Sequence, residues 1–413
     1  MYTEIKRCRI CGNTDLISII NLGNQYLTGV FPASKTESIT SGPLELVRCQ
    51  GNNCCGLVQL RHSYDHLEMY GDNYGYRSGI NGSMVKHLNE KVAKIQDLVD
   101  LKKGDLVIDI GSNDSTLLRS YSKKDLNYVG IDPAGGKFKK YYQGHIKLIP
   151  DFFSSEIVTK NVGKKKAKVI TSIAMFYDLE DPIDFAGQVY EVLADDGIWV
   201  FEQSYLPAML KMNAYDTICH EHLEYYCLKQ IKWITDKVGL KIIDVEFNLI
   251  NGGSFSVIAA KSCAPYIQNT GLIGKILQKE RNSGLDTLLP YEKFKERVYK
   301  HRNELNDFIR KVNKDGGRVL GYGASTKGNV ILQFCDFTEK DIPFIAEVNS
   351  DKFGCYTPKT NIPIISEEEA KSMKPDYFMV LPWHFRDNII ERENAHLKAG
   401  GKLLFPLPFI EVV

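Results

Sequence analysis

The sequence lacks an excess of charge of either sign, since its 52 basic and 51 acidic residues nearly cancel. No field around the whole molecule therefore draws it to nucleic acid or to an anionic membrane. The chain also lacks an apolar run of about 20 residues, the length that spans a bilayer. Its charged opening residues leave no room for the apolar part of a signal peptide. We therefore expect a cytoplasmic monomer that binds neither nucleic acid nor membrane.

Low-complexity tracts and internal repeats are missing as well, which argues against disorder. With 43% hydrophobic and 25% charged residues, the composition is that of a globular protein. A chain of 413 residues exceeds the size of one ordinary core, so two or three domains are expected.

The ten cysteines are unevenly spread, and five of them lie near the N-terminus. A cytosolic protein keeps its thiols reduced, so this cluster is not a disulfide framework. Cys8 and Cys11 form a Cys-x-x-Cys knuckle, and Cys49 with Cys54 or Cys55 completes a structural zinc site. Cys55 is preferred because the glycine that follows it allows the turn of a knuckle. Free buried thiols and a nucleic-acid-binding zinc ribbon are the alternatives.

Three segments differ in their apolar pattern. Residues 1–80 contain only short apolar runs and predict a small zinc-binding module, in which the metal supplies folding free energy. Residues 81–262 begin with a helical period and continue with strand-like runs at 106–111, 128–132, 169–175 and 198–203. Residues 263–413 have a charged helical stretch at 290–312 and apolar runs at 318–324, 343–349, 377–383 and 402–408.

Strands that alternate with helices predict crossover connections and parallel sheets that are covered on both faces. The predicted fold class is therefore α/β. A central doubly wound, Rossmann-like domain lies between the small N-terminal zinc-binding module and a second, C-terminal Rossmann-like domain.

The motif VIDIGSNDSTLL, at 107–118, predicts a strand, a tight turn at Gly111 and a helix. Gly111 permits close approach of a ligand, and the helix N-terminus offers free N–H groups. The next strand ends in Asp132, whose carboxylate can accept both hydroxyls of a ribose. A single glycine serves a pyrophosphate poorly, so the pattern predicts a nucleoside site. A purely structural turn is the alternative.

The motif YDTICHEHLEYY, at 215–226, is the densest polar segment of the chain. Its spacing differs from His-Glu-x-x-His, which argues against a second metal site. Imidazole titrates near neutral pH, and a neighbouring carboxylate can hold its tautomer. His222 with Glu221 therefore predicts acid–base catalysis, and a polar surface segment is the alternative.

The motif GYGASTKGN, at 321–329, follows a predicted strand and opens a predicted helix. This arrangement favours an anion cradle with Ser325, Thr326 and Lys327 as added donors, which suits a diphosphate. A nicotinamide dinucleotide site and a structural α/β lid are the alternatives.

The order of these motifs, from CRICG and CCGLVQL through DIGSND and CHEHLEYY to GYGASTKGN, resembles the nucleotide-sugar C-methyltransferases of deoxysugar pathways. The resemblance covers nearly the whole chain and implies a class I S-adenosylmethionine-dependent methyltransferase with structural zinc. It implies cofactor contacts at Gly111, Asn113, Asp114, Asp132, Asp151 and Phe152.

The substrate that the resemblance implies is a nucleoside-diphosphate 4-keto-6-deoxy sugar, methylated at carbon 3 through an enolate. His222 is then the base, Glu221 orients it, and Tyr76 reaches over from the first domain. Substrate contacts are implied at Tyr76, Tyr177, Glu224, Asn251, Ser254, Ser325, Lys327 and Asn329.

Two residues depart from the family pattern. Cys219 stands where many relatives have Tyr, and Asp178 where some have His. Tyr177, Tyr215 or a water molecule could replace the missing group. Methylation at carbon 5 is one alternative reaction, and the others are sugar O-methylation and a zinc-containing adaptor without catalytic activity.

Overall fold

The computed structural model describes residues 2–70 and 76–413. The N-terminal part is built mainly from short antiparallel strands, which pair in two sheets, β2 with β3 and β4 in one and β1 with β5 in the other. Its elements are β1 (Tyr2–Glu4), β2 (Leu16–Tyr26), β3 (Ser41–Cys49), β4 (Val58–Leu60), β5 (His62–Tyr64) and α1 (His66–Tyr70).

The central part alternates helices and strands, as its apolar runs predict. Its elements are α2 (Gly82–Leu98), β6 (Leu106–Ile110), α3 (Thr116–Arg119), β7 (Asn127–Ile131), β8 (Ile146–Ile149), α4 (Ser155–Val162), β9 (Ala167–Ile173), α5 (Pro182–Val192), β10 (Leu193–Ser204), α6 (Leu206–Lys211), β11 (Glu224–Tyr225), α7 (Leu228–Val238), β12 (Leu240–Asn248) and β13 (Ser254–Lys261).

Seven of these strands form one sheet in the order β12-β13-β10-β9-β6-β7-β8. The five strands from β10 to β8 are parallel, and β13 and β12 add antiparallel at one edge. Every residue of β6 is buried, which is the reason that four of its five residues are apolar. Asn81 caps the N-terminus of helix α2, where its side chain accepts the N–H of Ser83, and the helix packs an apolar stripe against the domain core.

The C-terminal part carries a second sheet, in the order β16-β15-β14-β17-β18-β19, parallel except for its last strand. Its elements are α8 (Thr270–Asn282), α9 (Leu289–Lys314), β14 (Val319–Tyr322), α10 (Thr326–Phe334), β15 (Ile345–Glu347), β16 (Ile364–Ser366), α11 (Glu367–Ser372), β17 (Tyr377–Val380), α12 (Arg386–Arg392), α13 (Asn394–Lys398), β18 (Lys402–Phe405) and β19 (Glu411–Val412).

The predicted fold class is confirmed, with two α/β domains and a small strand-rich module. The three parts share elements, however. Strand β11 comes from the central part but pairs with β4, so that the N-terminal sheet has the order β11-β4-β3-β2. Leu44 and Leu46 of this sheet belong to the same apolar core as Phe294 and Leu320 of the C-terminal part. In the described part of the chain, no helix is long and apolar enough to cross a membrane.

Candidate active site and zinc site

A cleft lies at the carboxyl ends of β6, β7 and β9, where doubly wound sheets bind their ligands. Gly111 after β6, Asp132 after β7 and Met175 after β9 line it. Gly111 has a φ of +71°, a left-handed value that favours glycine, and a Cβ there would lie 3.1 Å from Met175 Cγ. The turn therefore opens the cleft to a ligand because no side chain stands at Gly111.

Asp132 ties the turn to the neighbouring strand. Its Oδ2 accepts the backbone N–H of Asn113 at 2.7 Å, and its Oδ1 accepts that of Ala134 at 2.8 Å. Each carboxylate oxygen keeps a second lone pair, and the side chain lines the cleft. Burial raises the pKa of Asp132, while the backbone donors act in the opposite direction. The carboxylate can therefore hold the turn and still accept the hydroxyls of a ribose.

Asn113 and Asp114 anchor the segment before α2. The Asn113 Oδ1 accepts the backbone N–H of Ser78 at 2.9 Å, and the Asp114 Oδ2 accepts that of Gly79 at 3.1 Å. Asn113 also lines the cleft, whereas Asp114 is not among its lining residues. Asp114 therefore holds the segment before α2, and its contact with the cofactor stays a prediction. Ser115, where relatives usually have Gly, has a left-handed φ of +59°.

Two phenylalanines form one wall of the cleft, as an adenine ring would require. Phe152 and Phe153 both line it, and the Phe153 ring packs 5.0 Å from that of Phe185. Asp151 lies outside the cleft, exposed, with its Oδ1 accepting the N–H of Phe152 at 2.8 Å. Of this segment, the aromatic pair and not Asp151 therefore lines the cleft.

Asp109 lines the same cleft, although the sequence motif predicts no role for it. Burial raises its pKa to about 7, and the Thr171 hydroxyl donates to its Oδ1 at 2.5 Å. The signal that could have identified it is a carboxylate inside an otherwise apolar strand, because an unpaired charge there is costly.

Tyr76 lines the mouth of the cleft and is 47% exposed. Its backbone carbonyl accepts the side-chain amide of Asn113 at 3.1 Å, which fixes its position next to the turn. Residues 71–75, which precede it in the chain, lie outside the described residues.

His222 lies beside this cleft. Its ring packs edge-on against the ring of Tyr177, with 4.3 Å between the centroids, and Asp178, the next residue, lines the cleft. The Nδ1 atom lies 2.9 Å from the carbonyl oxygen of Thr217. Since a carbonyl oxygen only accepts, Nδ1 carries the proton and Nε2 holds the free lone pair. Within the described part of the chain, no protein group bonds Nε2.

Glu221 does not orient His222, although the sequence predicts that it does. The Thr217 carbonyl has that role, and the Glu221 carboxylate points to the N-terminal module, where a Cβ on Gly29 would lie 2.3 Å from its Oε1. The same Cβ would lie 3.5 Å from the hydroxyl of Thr326. Burial raises the pKa of Glu221. His220 and Glu221 lie in a turn, which the N–H of His222 closes on the Cys219 carbonyl at 3.2 Å, and this turn separates the carboxylate from the imidazole.

His220 and Glu224 turn away from the cleft. His220 is fully buried, with its ring 4.5 Å from that of Tyr64, and burial lowers its pKa to about 3. Glu224 is 2% exposed, and its Oε1 lies 3.7 Å from Arg9 Nε of the knuckle segment. The pairing of β11 with β4 dictates this direction, so Glu224 does not take the predicted substrate contact.

Asp178 and Cys219, the two residues that depart from the family pattern, lie close to His222. Asp178 lines the cleft, burial raises its pKa well above the usual range, and its Oδ1 has no hydrogen-bond partner among the described residues. Cys219 is fully buried, and its carbonyl accepts the N–H of His222 at 3.2 Å. Asp178 therefore faces the ligand, while Cys219 supports the loop.

Several other residues that are predicted to contact the substrate form hydrogen bonds with other residues of the protein instead. Ser325 caps α10 by accepting the N–H of Gly328 at 3.1 Å, and the Asn329 amide donates to the Thr28 carbonyl at 2.7 Å. The Ser254 hydroxyl donates to the Ile250 carbonyl at 2.9 Å. Asn329 and Ser254 are both buried, so these two are structural residues rather than substrate contacts.

The same is true of Asn251 and Lys327, two further residues that are predicted to contact the substrate. The Lys327 Nζ donates to the backbone carbonyl of Asn251 at 2.9 Å and so joins the C-terminal part to the central part.

The sulfur atoms of Cys8, Cys11, Cys49 and Cys55 all lie within 4.8 Å of one another. Two pairs are 3.4 Å and 3.5 Å apart, close to the edge of about 3.8 Å that a tetrahedron with Zn–S bonds of about 2.3 Å requires. Cys54 lies outside this group, and its thiol donates to the Cys49 carbonyl at 3.5 Å. The arrangement fits one tetrahedral zinc ion with four thiolate ligands.

Comparison with known proteins finds three consecutive domain families along the chain. A zinc binding domain family matches residues 8–70, a methyltransferase domain family matches 84–245, and the C-methyltransferase C-terminal domain family matches 249–408. The C-methyltransferase NovU of Streptomyces niveus is 30% identical over 412 residues, which cover 99% of this chain and 97% of NovU.

Solved structures match less than half of the chain, at low identity. The plantazolicin methyltransferase BpumL with S-adenosylhomocysteine is 12% identical, with a TM-score of 0.34, over 42% of this chain and 82% of BpumL. The magnesium protoporphyrin IX methyltransferase of Synechocystis PCC 6803 is 13% identical, with a TM-score of 0.32, over 44% of this chain and 79% of that enzyme.

The full-length relative and the three consecutive domain families agree with the cleft and the cysteine cluster. The chain belongs to the C-methyltransferase family and is an S-adenosylmethionine-dependent enzyme with a zinc-binding N-terminal domain.

Proposed function

We propose that the chain methylates carbon 3 of a nucleoside-diphosphate 4-keto-6-deoxy sugar, and that Nε2 of His222 is the base. The observation that carries this proposal is the tautomer of His222 beside the cleft. A carbon next to a ketone is acidic because its anion delocalises onto the carbonyl oxygen, but it reacts only after a base removes the proton. An unprotonated Nε2 at this place supplies that base.

The remaining residues position the two reactants. Asp132 accepts the ribose hydroxyls, and Phe152 and Phe153 bind the adenine ring. Tyr177 and the Thr217 carbonyl hold the imidazole ring in one orientation. S-adenosylmethionine supplies the methyl group. Holding both reactants at contact distance converts a bimolecular reaction into an effectively unimolecular one.

The zinc ligands in this proposal are Cys8, Cys11, Cys49 and Cys55. The C-terminal domain, from about residue 263, binds the nucleotide end of the substrate, and the start of α10 faces the anionic diphosphate. The zinc-binding module and the central domain are then residues 1–80 and 81–262.

The test is a screen of dTDP-, UDP-, GDP- and CDP-linked 4-keto-6-deoxy sugars by mass spectrometry, with NMR to locate the new methyl group. The borohydride-reduced alcohols are the control. Methylation of a ketone at carbon 3 supports the proposal, and methylation at carbon 5 corrects the position. Methylation of the alcohol identifies an O-methyltransferase, and no product with any sugar refutes the substrate class.

The base is tested separately with His222→Asn. Turnover and deuterium exchange next to the ketone are lost, while affinity for S-adenosylhomocysteine, measured by calorimetry, stays within about twofold. The exposed His145→Asn serves as the matched control. Turnover of His222→Asn within a few-fold of wild type contradicts the assignment.

A further inference from the structure

The side chain of Lys327 does not point where its sequence motif predicts. The residue opens α10, where a lysine in an anion cradle would face a diphosphate. Its side chain reaches instead to the central domain, where Nζ donates to the Asn251 carbonyl at 2.9 Å. In the described part of the chain, no carboxylate forms an ion pair with it. Two of its three N–H donors are therefore left for another acceptor.

The charge of Lys327 acts on the segment that carries the base. Its ammonium lowers the pKa of His222 and that of His384, in both cases after the larger effect of burial. Asp216 and Cys219 raise the pKa of Lys327 itself, against burial, which lowers it. Asp216 is held by the indole N–H of Trp383, which donates to its Oδ2 at 2.7 Å.

The packing gives the same position for the ammonium. A Cβ on Gly252, the residue after the Asn251 carbonyl, would lie 3.4 Å from the ring of Trp383, which holds Asp216. The hydroxyl of Thr326, the residue before Lys327, and the Glu221 carboxylate both lie against Gly29. The Lys327 ammonium thus lies beside residues 216–222.

We propose that Lys327 is a catalytic residue that donates a hydrogen bond to the substrate's ketone oxygen and stabilises the negative charge that forms there. The inference rests on the proposed function, because it needs an enolate next to His222. It assigns to Lys327 a role in the reaction, in place of the diphosphate contact that the motif predicts.

Atoms and charge are conserved in the proposed reaction. The C–H bond next to the ketone breaks, its proton moves to Nε2 of His222, and its electron pair forms the enolate, whose oxygen faces the Lys327 ammonium. The enolate carbon then bonds the methyl group, the S–CH3 bond breaks, and its electron pair stays on sulfur as the ketone re-forms. The imidazolium finally releases its proton to water.

A cation suits this position for two reasons. A fixed donor aimed at developing charge, away from bulk water, lowers the barrier more than it stabilises the ground state. A positive charge near the imidazole also disfavours the protonated ring, so that the base stays in its active form.

The experiment compares Lys327→Gln and Lys327→Arg with the wild-type enzyme. Deuterium exchange into dTDP-4-keto-6-deoxyglucose is followed by NMR with S-adenosylhomocysteine bound, and methyl transfer gives kcat and KM. In Lys327→Gln we expect exchange and kcat to fall at least ~100-fold with KM within about threefold. Lys327→Arg keeps the cation and recovers part of both rates.

Lys261→Gln is the matched control. It removes a nearly buried ammonium at the opposite end of β13, where Nζ lies 2.9 Å from Asp195 Oδ1. Its kcat stays at the wild-type value. A further readout is the pKa of the His222 ring by NMR, which rises in Lys327→Gln because a nearby positive charge is removed. An unshifted pKa would mean that the ammonium does not lie beside the imidazole.

Two results overturn the proposal. One is exchange in Lys327→Gln within about threefold of wild type, and the other is a raised KM with unchanged kcat, which identifies a diphosphate contact. If the wild-type enzyme itself neither exchanges nor methylates the sugar, the proposed function fails first. Should Lys327→Gln not fold, equal loss of exchange in a folded Lys327→Arg with an unshifted His222 pKa also counts against the proposal.

Discussion

The Nδ1 atom of His222 donates to the backbone carbonyl of Thr217, five residues earlier in the chain, at 2.9 Å. In many enzymes a carboxylate has this role and raises the basicity of the ring. A carbonyl fixes the same tautomer without adding a negative charge, so the base here is oriented but is not made more basic by its partner.

The pH dependence of proton abstraction follows from this arrangement. Burial, and then the charge of Lys327, lowers the pKa of His222 to about 3, so the ring stays neutral from neutral pH well into the acid range. We expect the deuterium exchange rate of the substrate to stay level as the pH falls from about 8 to about 5. An unperturbed histidine, with a pKa of about 6.5, would lose rate about tenfold per pH unit below that value. Such a decline contradicts the prediction.

Removal of one zinc ligand should affect catalysis as well as folding. In Cys55→Ser we expect loss of bound zinc and at least a tenfold lower kcat, because β4 follows Cys55 and pairs with β11 at the end of the catalytic segment. Elemental analysis and steady-state kinetics measure the two effects.

Cys54→Ser is the matched control for this experiment, since its sulfur lies outside the cluster. It should keep full zinc content and activity. Zinc loss in Cys54→Ser rather than in Cys55→Ser would show that the other cysteine is the ligand.

Cofactor affinity should depend on Asp132 and not on Asp151. Asp132→Ala removes the acceptor of two backbone N–H groups and of the ribose hydroxyls, so we expect at least tenfold weaker binding of S-adenosylhomocysteine by calorimetry. Asp151 lies outside the cleft, so Asp151→Ala should change the affinity for S-adenosylhomocysteine by less than about twofold. Equal losses in the two variants would place the adenine at Asp151.

A methyl group added at Gly29, in the N-terminal module, should disturb the segment 215–226 that carries the base. In Gly29→Ala the new Cβ would lie 2.3 Å from the Glu221 carboxylate, so we expect kcat to fall at least fivefold with little change in cofactor affinity. Gly271→Ala, in α8, has no atom within 4 Å of its new Cβ and should be fully active. Normal activity of Gly29→Ala would mean that Glu221 moves freely.

The local patterns predicted the strands and the cofactor turn well. The run at 106–111 forms β6, and Gly111 has the left-handed backbone that its motif requires. These features are decided by residues next to each other in the chain. Antiparallel strands β12 and β13 were not foreseen, because their apolar runs lack the helix between them that marks a parallel pair.

The directions of side chains in the catalytic segment were harder to predict. The sequence predicts that Glu221 orients His222 and that Glu224 contacts the substrate, but contacts with the N-terminal module, at Gly29 and Arg9, decide where the two carboxylates point. Those partners are about two hundred residues away in the chain. Lys327 likewise bonds a carbonyl of another domain, which no motif within 321–329 could indicate.

Strand β11 has a consequence for recombining this enzyme with its relatives. Because Glu224 and Tyr225 pair with Gln59 and Val58, the loop that carries the base is completed by a strand of the first domain. An exchange of the first 80 residues alone would join a foreign edge strand to the native loop. In a chimaera, residues 215–226 should therefore come from the same parent enzyme as the N-terminal module.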